Sequence, residues 1–96
     1  MLFRSAVTLA RLHGVALAGA GRRAQAERVL FEALADARQI DARVEIAYTL
    51  DAVLTISVKK EPELRRERAA LAGALGIERF PFATARARRG RRDRAR

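Results

Sequence analysis

The sequence has little of the chemistry that enzymes and metal sites use: its 96 residues include no cysteine and a single histidine, His13. Without cysteine, neither a disulfide framework nor a thiolate metal site can supplement the hydrophobic core. The residues three and four positions from His13 along a helix are alanines and leucines, so neither a nucleophile nor a second metal ligand accompanies it. We expect His13 to pack where leucine would serve as well, and we expect a non-enzymatic protein without cofactor or metal.

Long apolar runs are also absent. Arg11 and His13 interrupt the amino-terminal apolar region, which therefore lacks the hydrophobic stretch of about 7–15 residues found in signal peptides. A membrane span, which needs about 20 mostly apolar residues, is excluded in the same way. A cleaved targeting segment is the alternative, because no acid precedes Glu27 and residues 18–20 are small. We expect a cytoplasmic protein that does not enter the membrane.

Glycine and proline are few and fall mainly between periodic segments, which argues against disorder over most of the chain. Half of the residues are apolar but only five are aromatic, and the length is near the lower limit for a self-sufficient core. Alanine, which has the highest helix propensity, is abundant. This composition predicts one all-α domain with small contacts between its helices.

The net charge of +9 is concentrated near the carboxyl terminus. Residues 86–96 contain seven arginines and one acid, whereas residues 1–85 contain thirteen basic residues and ten acids. A segment with no apolar face and many like charges cannot bury enough surface to fold. We therefore predict a helical domain over residues 1–82 and a disordered basic tail over residues 83–96.

Apolar residues recurring every three or four positions predict four helices, at about residues 3–18, 23–38, 42–57 and 62–75. The first helix has two apolar faces, formed by Val7, Ala10, Gly14 and Leu17 and by Leu9, Leu12 and Ala16. Two such faces predict a helix packed between neighbours. The predicted buried face of the third helix comprises Val44, Ala47, Leu50 and Leu54.

Residues at the helix ends agree with these boundaries. Asp41 is a predicted N-cap of the third helix, because its carboxylate can accept hydrogen bonds from free backbone N–H groups. Pro62 suits the first position of the fourth helix, and Gly76 suits its end. The short extended segment that follows contains Phe80 and Phe82, which we expect to cover the last helix pair.

Helix, short turn and helix occur twice in succession, which is typical of stacked helical repeats. In the first unit, small and large residues alternate at fixed positions: Ala10, His13, Gly14 and Leu17 on one helix, Gly21 in the turn, and Ala26, Leu30 and Ala33 on the next helix. This unit resembles the tetratricopeptide repeat (TPR). The resemblance implies that Gly14 and Ala26 let the two helices cross closely while Leu30 fills the gap beyond.

The second unit matches the repeat less closely. Ala47, Leu50 and Leu54 keep the spacing, but Asp51 stands where the repeat has glycine. Asp51 either binds a basic group of a partner or marks a degenerate repeat. The chain is also similar to the carboxyl-terminal solenoid of large bacterial regulators that carry ATPase, DNA-binding or cyclase modules. Its sequence has no G-x-x-x-x-G-K-[ST] phosphate loop, so the resemblance does not imply ATPase activity.

The resemblance implies a short solenoid of two antiparallel helix pairs that displays a groove for a protein or peptide partner. The first and third helices would form the concave surface, with Arg11, Tyr48, Asp51 and Thr55 as candidate contacts. Two units are fewer than the roughly three that bury a continuous core, so we expect self-association through open repeat ends. The chain would be a fragment of a bacterial regulator or an accessory to one.

A small basic protein that binds nucleic acid through its tail is the alternative function. The candidate phosphate contacts are Arg86, Arg88, Arg89, Arg91, Arg92, Arg94 and Arg96. Seven contacts on a single strand imply a salt slope of about −5. No aromatic residue lies between these arginines, so bases have nothing to stack on and binding would not depend on sequence.

Three acids in or just before the fourth predicted helix, Glu61, Glu63 and Glu67, alternate with basic residues that include Arg68. Such alternation is typical of a solvated face with weak ion pairs. We therefore interpret these acids as a salt-bridged surface rather than as a metal site.

Overall fold

A computed structural model describes residues 4–57, 61–78 and 80, and this part of the chain is all-helical. Its four helices are α1 (Arg4–Gly19), α2 (Arg23–Gln39), α3 (Arg43–Ile56) and α4 (Pro62–Leu75). Each end lies within one residue of the prediction, so the all-α fold is confirmed. The predicted disordered tail, residues 83–96, lies outside the described residues, as does Phe82.

The four helices form two antiparallel pairs, α1 with α2 and α3 with α4, and α3 joins the pairs because it also packs on α1 and α2. Three-residue turns follow both α1 and α2, so consecutive helices reverse direction and lie side by side. The core has two clusters of buried residues, one comprising Val7, Leu34, Ala37, Ile46 and Leu50 and the other comprising Ala26, Leu30, Ala52, Val53 and Ile56. Leu64 of α4 packs on both clusters. No helix among the described residues has both the length and the apolar character to cross a bilayer.

The helix packed between neighbours is α3, not α1. Nine of the fourteen residues of α3 are buried, whereas only Val7 and Gly14 are buried on α1. Leu9 and Leu12 are 67% and 58% exposed, because α2 and α3 cover only the opposite side of α1. The prediction of a doubly packed α1 is therefore wrong.

Two further predictions about the orientation of side chains are wrong. Val44 of α3 is exposed, because Ile46 is the residue that packs against Leu34 of α2. His13 is exposed as well, because its neighbour Gly14 faces α2 and turns the imidazole away from the interface.

The same backbone closure ends three of the helices. Gly21, Asp41 and Gly76 have left-handed conformations, with φ values of 81°, 52° and 71°. The residue after each donates a hydrogen bond to a carbonyl five positions earlier: Arg22 to Leu17 at 2.9 Å, Ala42 to Ala37 at 3.0 Å and Ile77 to Ala72 at 2.9 Å. This is the Schellman pattern, which requires a left-handed residue at its centre.

Asp41 therefore belongs to the end of α2 and does not cap α3. The N-cap residue of α3 is Ala42, without a side-chain hydrogen bond. Aspartate tolerates the left-handed region better than most residues do, and this suits Asp41 to the position that glycine takes in the other two closures. The prediction for Asp41 is wrong, whereas Pro62 begins α4 and Gly76 ends it as predicted.

The close crossing of α1 and α2 is confirmed at Gly14. A Cβ atom at Gly14 would lie 2.6 Å from Leu30 Cγ and 3.5 Å from the Ala26 carbonyl oxygen. Glycine is thus required here by space, not by backbone conformation. The small residues of the first unit allow the helix contact that their spacing predicts.

Thr49 supplies a test of burial in α3. Its hydroxyl is fully buried and has no hydrogen-bond partner among the described residues. Because an unsatisfied buried hydroxyl costs about 1–3 kcal/mol, we expect Thr49→Val to raise the free energy of unfolding by about 1 kcal/mol in urea denaturation followed by circular dichroism. Thr55→Val is the matched control, since the Thr55 hydroxyl donates to the Asp51 carbonyl at 2.7 Å, and it should bring no gain. Equal stability of Thr49→Val and wild type would contradict the expectation.

Candidate functional site

Side chains of α1 and α3 meet on one face of the two helix pairs. The guanidinium carbon of Arg11 lies 5.5 Å from the centroid of the Tyr48 ring, within the range of a cation–π contact. Arg11 also donates to the Glu45 carboxylate, which accepts a second hydrogen bond from the Thr8 hydroxyl at 3.1 Å. Glu45 stands three residues before Tyr48, so helix periodicity places both on the same side of α3.

Phe80 extends this arrangement from the segment that follows α4. Its ring centroid lies 6.1 Å from that of Tyr48, with the planes at 87°, which is an edge-to-face contact. The guanidinium carbon of Arg68 lies 5.5 Å from the Phe80 centroid, and the same guanidinium donates to Asp51 Oδ1 at 3.2 Å. We refer to Arg11, Tyr48, Phe80 and Arg68 as the arginine–aromatic stack.

Each end of the arginine–aromatic stack is an ion pair with α3. Glu45 and Asp51 are both buried, at 8% and 1% exposure, and buried carboxylates are costly unless they are paired and hydrogen-bonded. Arginine suits this place because its planar guanidinium can bond a carboxylate along its edge while its face lies on an aromatic ring. The two acids therefore hold Arg11 and Arg68 at fixed positions beside the rings.

The structure brings the four sequence-predicted contact residues to one region. Arg11 and Tyr48 are in contact, and Tyr48 is joined to Asp51 through the ring of Phe80 and the guanidinium of Arg68. Thr55 lies one helical turn beyond Asp51, and its hydroxyl bonds to its own helix. Asp51 is the most deeply buried of the four, and the basic group that it binds belongs to its own chain.

Sequence reasoning did not identify Glu45 and Arg68 as part of this region. Glu45 could have been found from its three-residue spacing to Tyr48. Arg68 was expected on a solvated face, but it turns towards Asp51. The expected surface pairing is confirmed for Glu67, which accepts from Arg38 of α2 at 2.6 Å in an exposed ion pair. Among the described residues, no group of three or more acids or histidines is placed to hold a metal ion.

The prediction that Phe80 covers the last helix pair is confirmed, because the ring contacts Tyr48 of α3 and Arg68 of α4. The seven candidate phosphate contacts from Arg86 to Arg96 lie outside the described residues, so their role stays a prediction. Leu9 and Leu12 are exposed on α1.

Neither a protein-family model, nor a curated protein, nor a solved structure matches the chain.

Proposed function

We propose that the chain is a non-enzymatic protein–protein interaction module of the tetratricopeptide type and that it binds its partner on the face shared by α1 and α3. The observation that carries this proposal is the packing of Phe80, since this face already holds a side chain from the segment that follows α4. Arg11 and Tyr48 lie at the same place and were predicted as contacts from the repeat pattern alone.

The helix packing supports the repeat assignment. In the first unit, the close approach of Gly14 to Leu30 is the contact that the small residues of this repeat type serve. The first and third helices lie side by side, so their side chains form a continuous face. As part of the same proposal, the module is a fragment of a bacterial regulator or an accessory to one, and it is cytoplasmic.

Self-association through the open end of the solenoid forms a second part of the proposal. Leu9 and Leu12 form an exposed apolar row on α1. In a longer solenoid, a preceding helix would cover such a row. A second copy of the chain could cover it in the same way.

The test is affinity capture from a nuclease-treated lysate with a chain ending at Ala83. We expect a defined protein to be retained by this chain and lost with Tyr48→Ala, because the substitution removes the ring that Arg11 and Phe80 contact. Phe31→Ala is the matched control, since Phe31 is a surface aromatic residue of α2, at 40% exposure, and its loss should leave capture unchanged. Equal capture by all three chains would count against the α1–α3 face.

The alternative function, binding of nucleic acid, is favoured by the seven arginines of residues 86–96. The chain ending at Ala83 also distinguishes this alternative from the interaction module. If the tail carries the function, the full chain should bind single-stranded nucleic acid with a salt slope of about −5, and the chain ending at Ala83 should lose most of that affinity. Partner capture that disappears with nuclease or with the tail would reduce the helices to a support for the tail.

A further inference from the structure

Phe80 reaches α3 because the chain reverses after α4. Gly76 is left-handed, and the N–H of Ile77 bonds back to the Ala72 carbonyl at 2.9 Å, so the chain leaves the helix axis at once. The Phe80 ring then lies against both Tyr48 and Arg68. This ring makes an edge-to-face contact and a cation–π contact, each of which is individually weak.

The groups that receive Phe80 are held independently of it. Glu45 binds Arg11 against Tyr48, and Asp51 binds Arg68. These ion pairs join helices α1, α3 and α4, which are packed by the core. The slot formed by Tyr48 and Arg68 is therefore organised before an aromatic ring enters it, and any chain that presents such a ring in the same direction can use it.

We propose that the slot between Tyr48 and Arg68 is a receptor for a phenylalanine side chain of a partner peptide, and that Phe80 is its intramolecular occupant and hence an autoinhibitory ligand. This inference rests on the proposed function of the α1–α3 face. Arg68 of the slot is already paired with Asp51, and the neighbouring Arg11 is paired with Glu45, so the slot selects an aromatic ring rather than an acidic peptide. The partner must displace Phe80 to bind.

Competition by Phe80 has a measurable consequence. A ring tethered a few residues from its slot has a high effective concentration, so an external peptide meets a site that is open for only a fraction of the time. The apparent affinity of the peptide falls by that fraction. Removal of the Phe80 ring should therefore strengthen peptide binding by about tenfold.

The probes are two synthetic peptides, GIERFP, which copies residues 76–81, and GIERAP, which lacks the aromatic ring. Each peptide carries a fluorescent label and is titrated with the full chain, either wild type or Phe80→Ala, up to about 1 mM. The readout is the fluorescence anisotropy of the peptide. GIERFP should bind Phe80→Ala about tenfold more tightly than wild type, and GIERAP should bind neither. Adding Tyr48→Ala to Phe80→Ala should abolish the binding of GIERFP.

Tyrosine emission gives a second readout, because Tyr48 is the only tyrosine and the sequence has no tryptophan. Phe80→Ala should change this emission, and GIERFP should return it to the wild-type value. Phe80→Leu repeats the test in a chain that keeps an apolar side chain at this partly buried position, in case Phe80→Ala perturbs folding. Because the contact between Phe80 and Tyr48 lies within one chain, the tyrosine emission of the wild-type chain is expected to stay unchanged on dilution.

Four results would overturn the inference: equal binding of the two peptides, equal binding to wild type and Phe80→Ala, no binding of GIERFP at about 1 mM, or wild-type tyrosine emission that changes on dilution. The last result would assign the Phe80 ring to a second copy of the chain. Lysate capture that depends on Tyr48 while the peptide tests fail would keep the proposed function and remove only the autoinhibitory ligand. Peptide binding without any captured protein would keep Phe80 as the ligand of the slot and count against the proposed function.

Discussion

The substitution Gly14→Ala is expected to lower the free energy of unfolding by about 1–2 kcal/mol, although alanine is the better helix former by about 0.5–1 kcal/mol. The added methyl group would lie 2.6 Å and 2.7 Å from two carbon atoms of Leu30. Leu30 is completely buried, so it cannot move aside without leaving its rotamer or separating α1 from α2. Overpacking of this kind costs about 1–3 kcal/mol, which exceeds the gain in helix propensity.

Gly73→Ala is the matched control for this prediction. Gly73 also lies within a helix, but a Cβ atom there would meet no atom of the described residues within 4 Å. We expect Gly73→Ala to raise the free energy of unfolding by about 0.5–1 kcal/mol. Urea denaturation of the two variants should therefore give opposite shifts from wild type. Shifts of the same sign would show that the close crossing at Gly14 does not control stability.

Leu30→Ala is expected to have the largest effect of all, a loss of about 2–5 kcal/mol. Leu30 is fully buried and belongs to the core cluster that includes Val53 and Ile56 of α3. Its truncation removes contacts in both directions, towards α1 at Gly14 and towards α3. A loss of this size is a large part of the stability of a small domain, so the denaturation series should contain the same stabilising osmolyte for every chain.

The double variant, Gly14→Ala with Leu30→Ala, shows whether the contact between Gly14 and Leu30 causes the loss of stability. In the Leu30→Ala chain the obstacle to a methyl group at Gly14 is gone, so Gly14→Ala should now stabilise by about 0.5–1 kcal/mol. The effect of the same substitution thus reverses sign between the two backgrounds, which is the mark of direct coupling. Equal losses in both backgrounds would place the cost of Gly14→Ala elsewhere.

The parts of the fold that the sequence predicts well are those that local chemistry decides. Helix ends follow from residues such as Pro62 and Gly76, whose backbone preferences act within a few positions. The crossing at Gly14 follows instead from the resemblance to the tetratricopeptide repeat, which implies a close approach of two consecutive helices at this residue. The helix ends need no knowledge of which helices become neighbours.

Predictions failed where the outcome depends on the neighbours. Periodicity shows that α1 has two apolar faces, but it does not show that the Leu9 face stays uncovered. The direction of the Arg68 side chain also depends on a neighbour. Alternating charges predict a solvated face, and only the position of Asp51 on α3 shows that Arg68 turns towards it. The prediction for Asp41 failed for another reason. An aspartate can either cap the start of a helix or adopt the left-handed conformation at the end of one, and at Asp41 the hydrogen bonds that close α2 require the second.

None of the residues of α4 is fully buried, in contrast to the nine buried residues of α3. A helix held mainly by partly buried side chains opens at a lower free energy than the helix that it covers, so its amides should exchange with solvent sooner than those of α3. Arg68 belongs to α4, and Phe80 follows the end of α4 by five residues. Each local opening of α4 therefore withdraws Phe80 from Tyr48 and Arg68 from Asp51 together, so it dismantles the slot rather than emptying it.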